Sequence, residues 1–398
     1  MKELSKIASQ VQASSTMAID SLAKQMKADG IDVVGFGAGE PDFNTPDEIK
    51  AAGIRAIEEN NTRYTPASGL PGIKKAVCDR VKADFHVEYE PSQVMVAAGA
   101  KHCVYVALRA LVNPGDEVIV PAPYWVSYIE LVRMMGGVPV VVTAEESAGF
   151  KITAQQLRDA ITPKTKAMIL NNPSNPTGMV YNGEELKALV DVCVENDLYI
   201  IADEIYSCLL YDGLKFTSVA SLGEEVKKRT ILINGVSKAY AMTGWRIGYA
   251  LAEPEIIKVM SNYLSHCAGS CCTISQKAAE AALSGSQEKI ETMRQAFEER
   301  RNYLVERMNQ VEGVSCIKPE GAFYVMMNME KLVGRTVHGQ VINTCDDFSQ
   351  AFLKYGLVAT VPGTAFGAPN FVRWSYAISM ENIKKGMDRL EAFLKECQ

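Results

Sequence analysis

The sequence predicts an α/β fold: a mostly parallel sheet covered by helices on both faces, joined to a smaller α+β domain. Three observations carry this. Between about residues 94 and 251 short apolar runs alternate with amphipathic stretches, the pattern of strands and crossover helices. Several of those runs are apolar at consecutive positions, as strands buried on both faces are. Beyond residue 285 the alternation stops and a long charged helical stretch begins. A chain of 398 residues with 47% hydrophobic content has apolar material for two or three domains.

In chain order, the apolar runs predict seven strands, at 94–98, 117–120, 138–142, 167–170, 198–202, 230–233 and 246–251, with helical spacing at 101–111 and 184–195. The later part predicts a helix over 287–310, strands at 322–327 and 372–378, and helices at 346–354 and 380–395. The early segment through "GFGAGEPDF" does not fit the central alternation, so it is expected to pack with the C-terminal part. The resulting division is an N-terminal arm and part of the small domain at 1–45, a large domain at 46–286 and a small C-terminal domain at 287–398. No internal repeat, low-complexity tract or long linker interrupts it.

The formal net charge of −6 provides no global positive field for nucleic acid or an anionic membrane, so any bound anion must meet local cations. The N-terminal stretch lacks the apolar core of a signal peptide, and no segment approaches ~18 uninterrupted apolar residues. A cytoplasmic protein is expected. Ten scattered cysteines without a C-x-x-C pair suit reduced thiols. The tightest cluster, His266, Cys267, Cys271 and Cys272, fits no common zinc spacing, and no metal site is expected.

Four stretches have the residue types for chemistry. Gly35, Gly37 and Gly39 resemble a dinucleotide fingerprint until position 40, where glycine is needed and Glu40 stands. They are left as a tight turn or a close backbone approach to a ligand. "VMVAAGAKHCVYVALRAL" reads as a strand, then Gly99, Ala100 and Lys101, then a helix whose first N–H groups suit a phosphate, or else a structural turn. "LYIIADEIY" ends a buried strand with Asp203, Glu204 and Tyr206, where open α/β sheets bind ligands; a helix cap is the plainer role for Asp203. "NNPSNPTG" carries Asn175 in a rigid turn.

"GVSKAYAMTGWRIG", from Gly235 to Gly248, resembles the pyridoxal-phosphate attachment signature of the class I aminotransferases, whose fold is the fold type I of these enzymes. "GEPDF", "RYTPASGLPGIK", "NNPSNPTG", "ADEIY" and "VRWSYA" follow that family's order, so the resemblance spans nearly the whole chain. "SST" at 14–16, "GAK" at 99–101 and "PYWVSY" at 123–128 look most like its bacterial aspartate aminotransferase branch.

The resemblance implies that Lys238 holds pyridoxal 5'-phosphate as a Schiff base and later moves the substrate proton. It implies that Arg246, Gly99, Ala100, Lys101 and Ser237 meet the phosphate, that Asp203 meets the ring nitrogen, that Tyr206 and Asn175 meet the ring's phenolic oxygen, and that Trp125 stacks on the ring. Arg373 and Gly39 are implied for the substrate α-carboxylate. Tyr64 is implied to reach the phosphate of a neighbouring subunit, hence a homodimer with shared active sites. Residues 251–293 contain no arginine for a distal carboxylate, so Lys101, with Ser15 and Thr16 nearby, is the expected reader of aspartate and glutamate side chains. Ping-pong transamination between L-aspartate and 2-oxoglutarate is the implied reaction. A prephenate, aromatic or alanine donor, and a lyase on the same coenzyme, remain the alternatives.

Overall fold

The computed structural model describes residues 2–13 and 15–397, except for the side chains at 15–17 and 20. Its main sheet has seven strands: β1 (Val94–Ala97), β2 (Glu117–Ala122), β3 (Val138–Thr143), β4 (Thr165–Asn171), β5 (Tyr199–Asp203), β6 (Thr230–Gly235) and β7 (Gly248–Leu251). They lie in the order β1-β7-β6-β5-β4-β2-β3, and every neighbouring pair is parallel except the two that β7 makes. The expected mostly parallel sheet is therefore present. β1, β6 and β7 are buried at every position, which explains the apolar runs they contain, Val94–Ala97, Ile231–Ile233 and Tyr249–Leu251.

This order brings the C-terminal ends of β1, β2, β4, β5 and β6 to one edge of the sheet. β7 runs the other way, so its first residue joins them there. Asn171 pairs with Asp203 across β4 and β5, and Gly235 with Gly248 across β6 and β7, which aligns the loops that follow. Such an edge is where open α/β sheets present ligand groups.

A second, four-stranded sheet centres on the antiparallel partners β8 (Tyr324–Asn328) and β9 (Phe371–Ser375). Helices Glu288–Gln310, Cys345–Gly356 and Met380–Lys395 share one core with it, including Phe297, Phe352, Trp374 and Phe393. The early segment joins this part: Val34–Gly35 pairs in parallel with Val358–Ala359, and Phe36 packs on Trp374 with ring centroids 4.5 Å apart. No helix among the described residues is long and apolar enough to cross a membrane.

Two expectations change. The run predicted as a strand from 246 begins at Gly248, because Arg246 adopts φ 57°, a left-handed conformation that a strand cannot include. The tight turn left open at Gly35, Gly37 and Gly39 is not formed: none of the three has positive φ, and the segment runs on without a turn. At Gly39 the missing Cβ serves close approach instead, since one placed there would stand 3.1 Å from the Tyr324 hydroxyl.

Candidate active site

The strand ends enclose a cavity of about 350 Å³, closed on one side by the 37–40 segment and by Tyr324 and Arg373 of the second sheet. Gly39, Ala100, Lys101, Trp125, Asn175, Asp203, Tyr206, Ser237, Lys238, Arg246 and Arg373 all line it. Tyr64 does not; its side chain is fully exposed at 101%. Gly99 sits just behind the wall, and the Ser15 and Thr16 side chains lie outside the described residues.

Lys238 follows β6 at the centre. Its Nζ donates to the Gly39 carbonyl and lies 5.9 Å from the Phe323 ring centroid. Its exposed surface opens onto the cavity, and the amine is surrounded by protein. Burial pushes its pKa down to about 8; Glu40 opposes this, and the Arg246 and Arg373 cations add to it. A substantial fraction of this amine is thus neutral near physiological pH.

Asp203, 4% exposed, ends β5. Its Oδ2 accepts from the Tyr128 hydroxyl at 2.7 Å and its Oδ1 from the Ile205 N–H at 3.3 Å. Burial still holds its pKa above the usual carboxylate range, because these donors do not replace the water that a carboxylate loses. A cation brought against it would restore the anion. The helix-cap alternative falls away, since β5 leads into a turn and no helix begins after Asp203; the Ile205 N–H bond closes that turn instead.

At the opposite end, Arg246 reaches back so that Nη1 donates to the Thr243 carbonyl at 2.9 Å and Nη2 to the Ala98 carbonyl at 3.2 Å. Gly99, at φ 91°, makes room: a Cβ there would collide with Nη2. Helix Ala100–Leu111 starts beside this guanidinium; the His102 and Cys103 N–H groups donate to the Gly99 carbonyl, which leaves those of Ala100 and Lys101 for a ligand. A cation beside a free helix N-terminus is an anion site. Lys101 Nζ lies 4.9 Å from the Trp125 ring centroid, and burial, then the Arg246 cation, lowers its pKa.

Arg373, 2% exposed, comes from β9. Its Nη1 donates to Asn175 Oδ1 at 3.0 Å and its Nη2 to the Gly37 carbonyl at 2.9 Å, while Nε has no partner. Among the described residues neither Arg373 nor Arg246 forms an ion pair with a carboxylate. A buried guanidinium without a counter-ion is costly, and a carboxylate ligand resolves the cost.

The structure adds residues that the motifs did not single out. Tyr128 holds Asp203; it lies in the quoted "PYWVSY", three positions after Trp125, and that spacing was the available signal. Tyr324 shares a hydroxyl-to-hydroxyl bond of 2.9 Å with Tyr206 and lies under Arg373. Glu40 accepts from the Thr243 hydroxyl at 2.8 Å at the cavity mouth.

A family model described as aminotransferase class I and II matches residues 31–390. The chain belongs to that family. It is 48% identical over 393 residues to an aspartate aminotransferase of Geobacillus stearothermophilus, with 99% of each chain covered. Among solved structures it is similar to the aspartate aminotransferase of Rhizobium meliloti, at TM-score 0.96 and 38% identity over 100% of both chains. The Thermus thermophilus aspartate aminotransferase solved with maleate is similar at TM-score 0.93 and 38% identity, covering 99% of this chain and 100% of that one. The aminotransferase fold expected from the "GVSKAYAMTGWRIG" stretch is therefore the fold of this chain.

Proposed function

We propose that this chain is a pyridoxal-phosphate-dependent L-aspartate:2-oxoglutarate aminotransferase, acting as a cytoplasmic homodimer. One observation carries the reading: a single cavity holds an amine with a lowered pKa, a buried carboxylate lacking a cation, and two guanidinium groups lacking an anion. Those unmet charges match a coenzyme with a basic ring nitrogen and a phosphate, beside a substrate carboxylate.

When bound, pyridoxal phosphate supplies the aldehyde that accepts the amino group and a ring that draws electrons from the substrate α-carbon. Asp203, its carboxylate held by the Tyr128 hydroxyl, would serve as counter-ion to the ring nitrogen. Arg246, the first N–H groups of helix Ala100–Leu111 and Ser237 hold the phosphate. Tyr206 donates to the phenolic oxygen, and Asn175 can join it because its Oδ1 is taken by Arg373 and its amide N–H₂ is left over. Trp125 supports the ring face. Arg373 grips the α-carboxylate with Gly39 beside it, and the freed Lys238 amine takes the α-proton and returns it.

The aspartate assignment is supported by Lys101, a cavity-lining cation over Trp125 that forms no ion pair among the described residues. The relatives' substrate name points the same way, as does maleate, a dicarboxylate, in the Thermus enzyme. Tyr64, fully exposed in the single chain, is assigned to the neighbouring subunit's phosphate, and the division at 1–45, 46–286 and 287–398 describes the domains.

The test is borohydride reduction of the coenzyme-loaded protein followed by peptide mass mapping. The adduct is expected on Lys238, and an adduct on another lysine, or none, refutes the reading. Lys101→Ala should lose far more rate with aspartate than with alanine; equal losses remove the specificity assignment. Mixing Lys238→Ala with Tyr64→Ala chains should restore activity if subunits share sites, and a mixture as inactive as its parts rejects sharing.

A further inference from the structure

Tyr324 is 1% exposed and stands where two elements of the site meet. Its hydroxyl is 2.9 Å from that of Tyr206, with the rings edge to face at 85° and 5.8 Å. The same ring lies 4.5 Å from the Arg373 guanidinium carbon, with the Phe366 ring 4.9 Å away. β-sheet register explains the second contact: Tyr324 opposes Ser375 and Met326 opposes Arg373, so Tyr324 and Arg373 are diagonal neighbours on one face.

Two hydroxyls joined by one hydrogen bond leave one proton over. Beyond Tyr206 the Tyr324 hydroxyl meets bare backbone at Gly39, so among the described residues Tyr206 is its hydrogen-bond partner. If Tyr324 donates, the Tyr206 proton is free to point at an oxygen in the cavity that it lines. A hydroxyl that accepts one bond donates the next more strongly. Meanwhile the face of the Tyr324 ring offers negative charge to a guanidinium that has lost its water and has no carboxylate.

We propose that Tyr324 is a positioning residue serving both anchors at once: its hydroxyl aims Tyr206 at the coenzyme's phenolic oxygen, and its ring holds Arg373 ready for the substrate carboxylate. This rests on the coenzyme reading above. The two contributions separate by atom, because phenylalanine keeps the ring and removes the hydroxyl, whereas leucine removes both.

The experiment compares wild type, Tyr324→Phe and Tyr324→Leu by pH titration of the bound coenzyme's visible absorbance and by KM for aspartate. Tyr324→Phe is expected to raise the titration midpoint by about half a pH unit, since weaker donation from Tyr206 disfavours the phenolic anion, while KM stays within about twofold. Tyr324→Leu should show the same shift with KM raised about tenfold. In a Tyr206→Phe background, Tyr324→Phe should move the midpoint no further. A Tyr324→Phe titration identical to wild type overturns the proposal, as does a KM increase equal in both variants. A wild type that gains no visible band with added coenzyme sinks the underlying reading instead, so the two failures are distinguishable.

Discussion

The lowered pKa of Lys238 makes a quantitative prediction about how the coenzyme is captured. Only the neutral amine attacks an aldehyde. At pH 7 an ordinary lysine is neutral about once in 2,500 times, whereas one titrating near 8 is neutral about once in ten, a gain of roughly 250-fold. The capture rate of coenzyme-free protein, followed by stopped-flow absorbance from pH 6 to 10 at fixed ionic strength, should rise about tenfold per pH unit and level off near pH 8. The neighbours set the direction of further shifts. Glu40 favours the charged amine, so Glu40→Gln should move the break to lower pH; the Arg373 cation disfavours it, so Arg373→Leu should move the break higher. A rate still climbing at pH 10 would refute the burial argument. A break unmoved by either substitution would refute the Coulombic part.

Asp203→Asn removes the anion from a buried site and should lower kcat by about 10²–10³, the equivalent of ~3–4 kcal/mol, within the range for breaking a buried pair, with the Lys238 adduct retained in mass mapping. Gly99→Ala pushes a methyl into Arg246 Nη2 at a backbone of φ 91°; a strain of ~1–3 kcal/mol should weaken coenzyme affinity by about tenfold or more in a spectroscopic titration. Glu204 is buried, with Oε1 accepting from the Ser218 hydroxyl and the Val219 N–H and Oε2 without a partner, and burial raises its pKa to about 8. The folded state keeps a proton that the unfolded chain releases above its lower pKa, so this group's stabilisation is complete at acid pH and is lost as pH rises toward 8. The melting temperature of Glu204→Gln should therefore fall less between pH 5 and 8 than that of wild type, and parallel curves would contradict this.

What the sequence makes legible follows from which physical constraint each residue obeys. Strands such as Thr230–Gly235 are buried on both faces, and that burial writes itself into consecutive apolar letters at Ile231–Ile233. Helix Thr273–Ser284 escapes the same inspection because its buried side is made largely of Ala278, Ala279 and Ala282, too small to mark a face against the surrounding polar residues. Helix Pro71–Phe85 hides similarly, its buried positions interleaved with three lysines and Arg80. Arg246 adjoins an apolar run and so reads as part of a strand, yet its left-handed backbone is a single-residue property that periodicity does not record.

The site divides along the same line. Lys238, Arg246, Asp203 and Asn175 lie in compact motifs because each sits at a strand end or turn whose glycines, prolines and small residues must fit locally. Tyr128 and Tyr324 touch those residues only through tertiary packing. Tyr128 reaches Asp203 from the segment after β2, while Tyr324 meets Tyr206 across a long stretch of chain and Arg373 through the β8–β9 register. A one-residue slip of that register would turn the side chain to the opposite face and leave the buried Arg373 without the ring beneath it. The charged and amide groups that line the cavity are thus written in local sequence, while the tyrosines that hold them in place are written in contacts between segments distant along the chain.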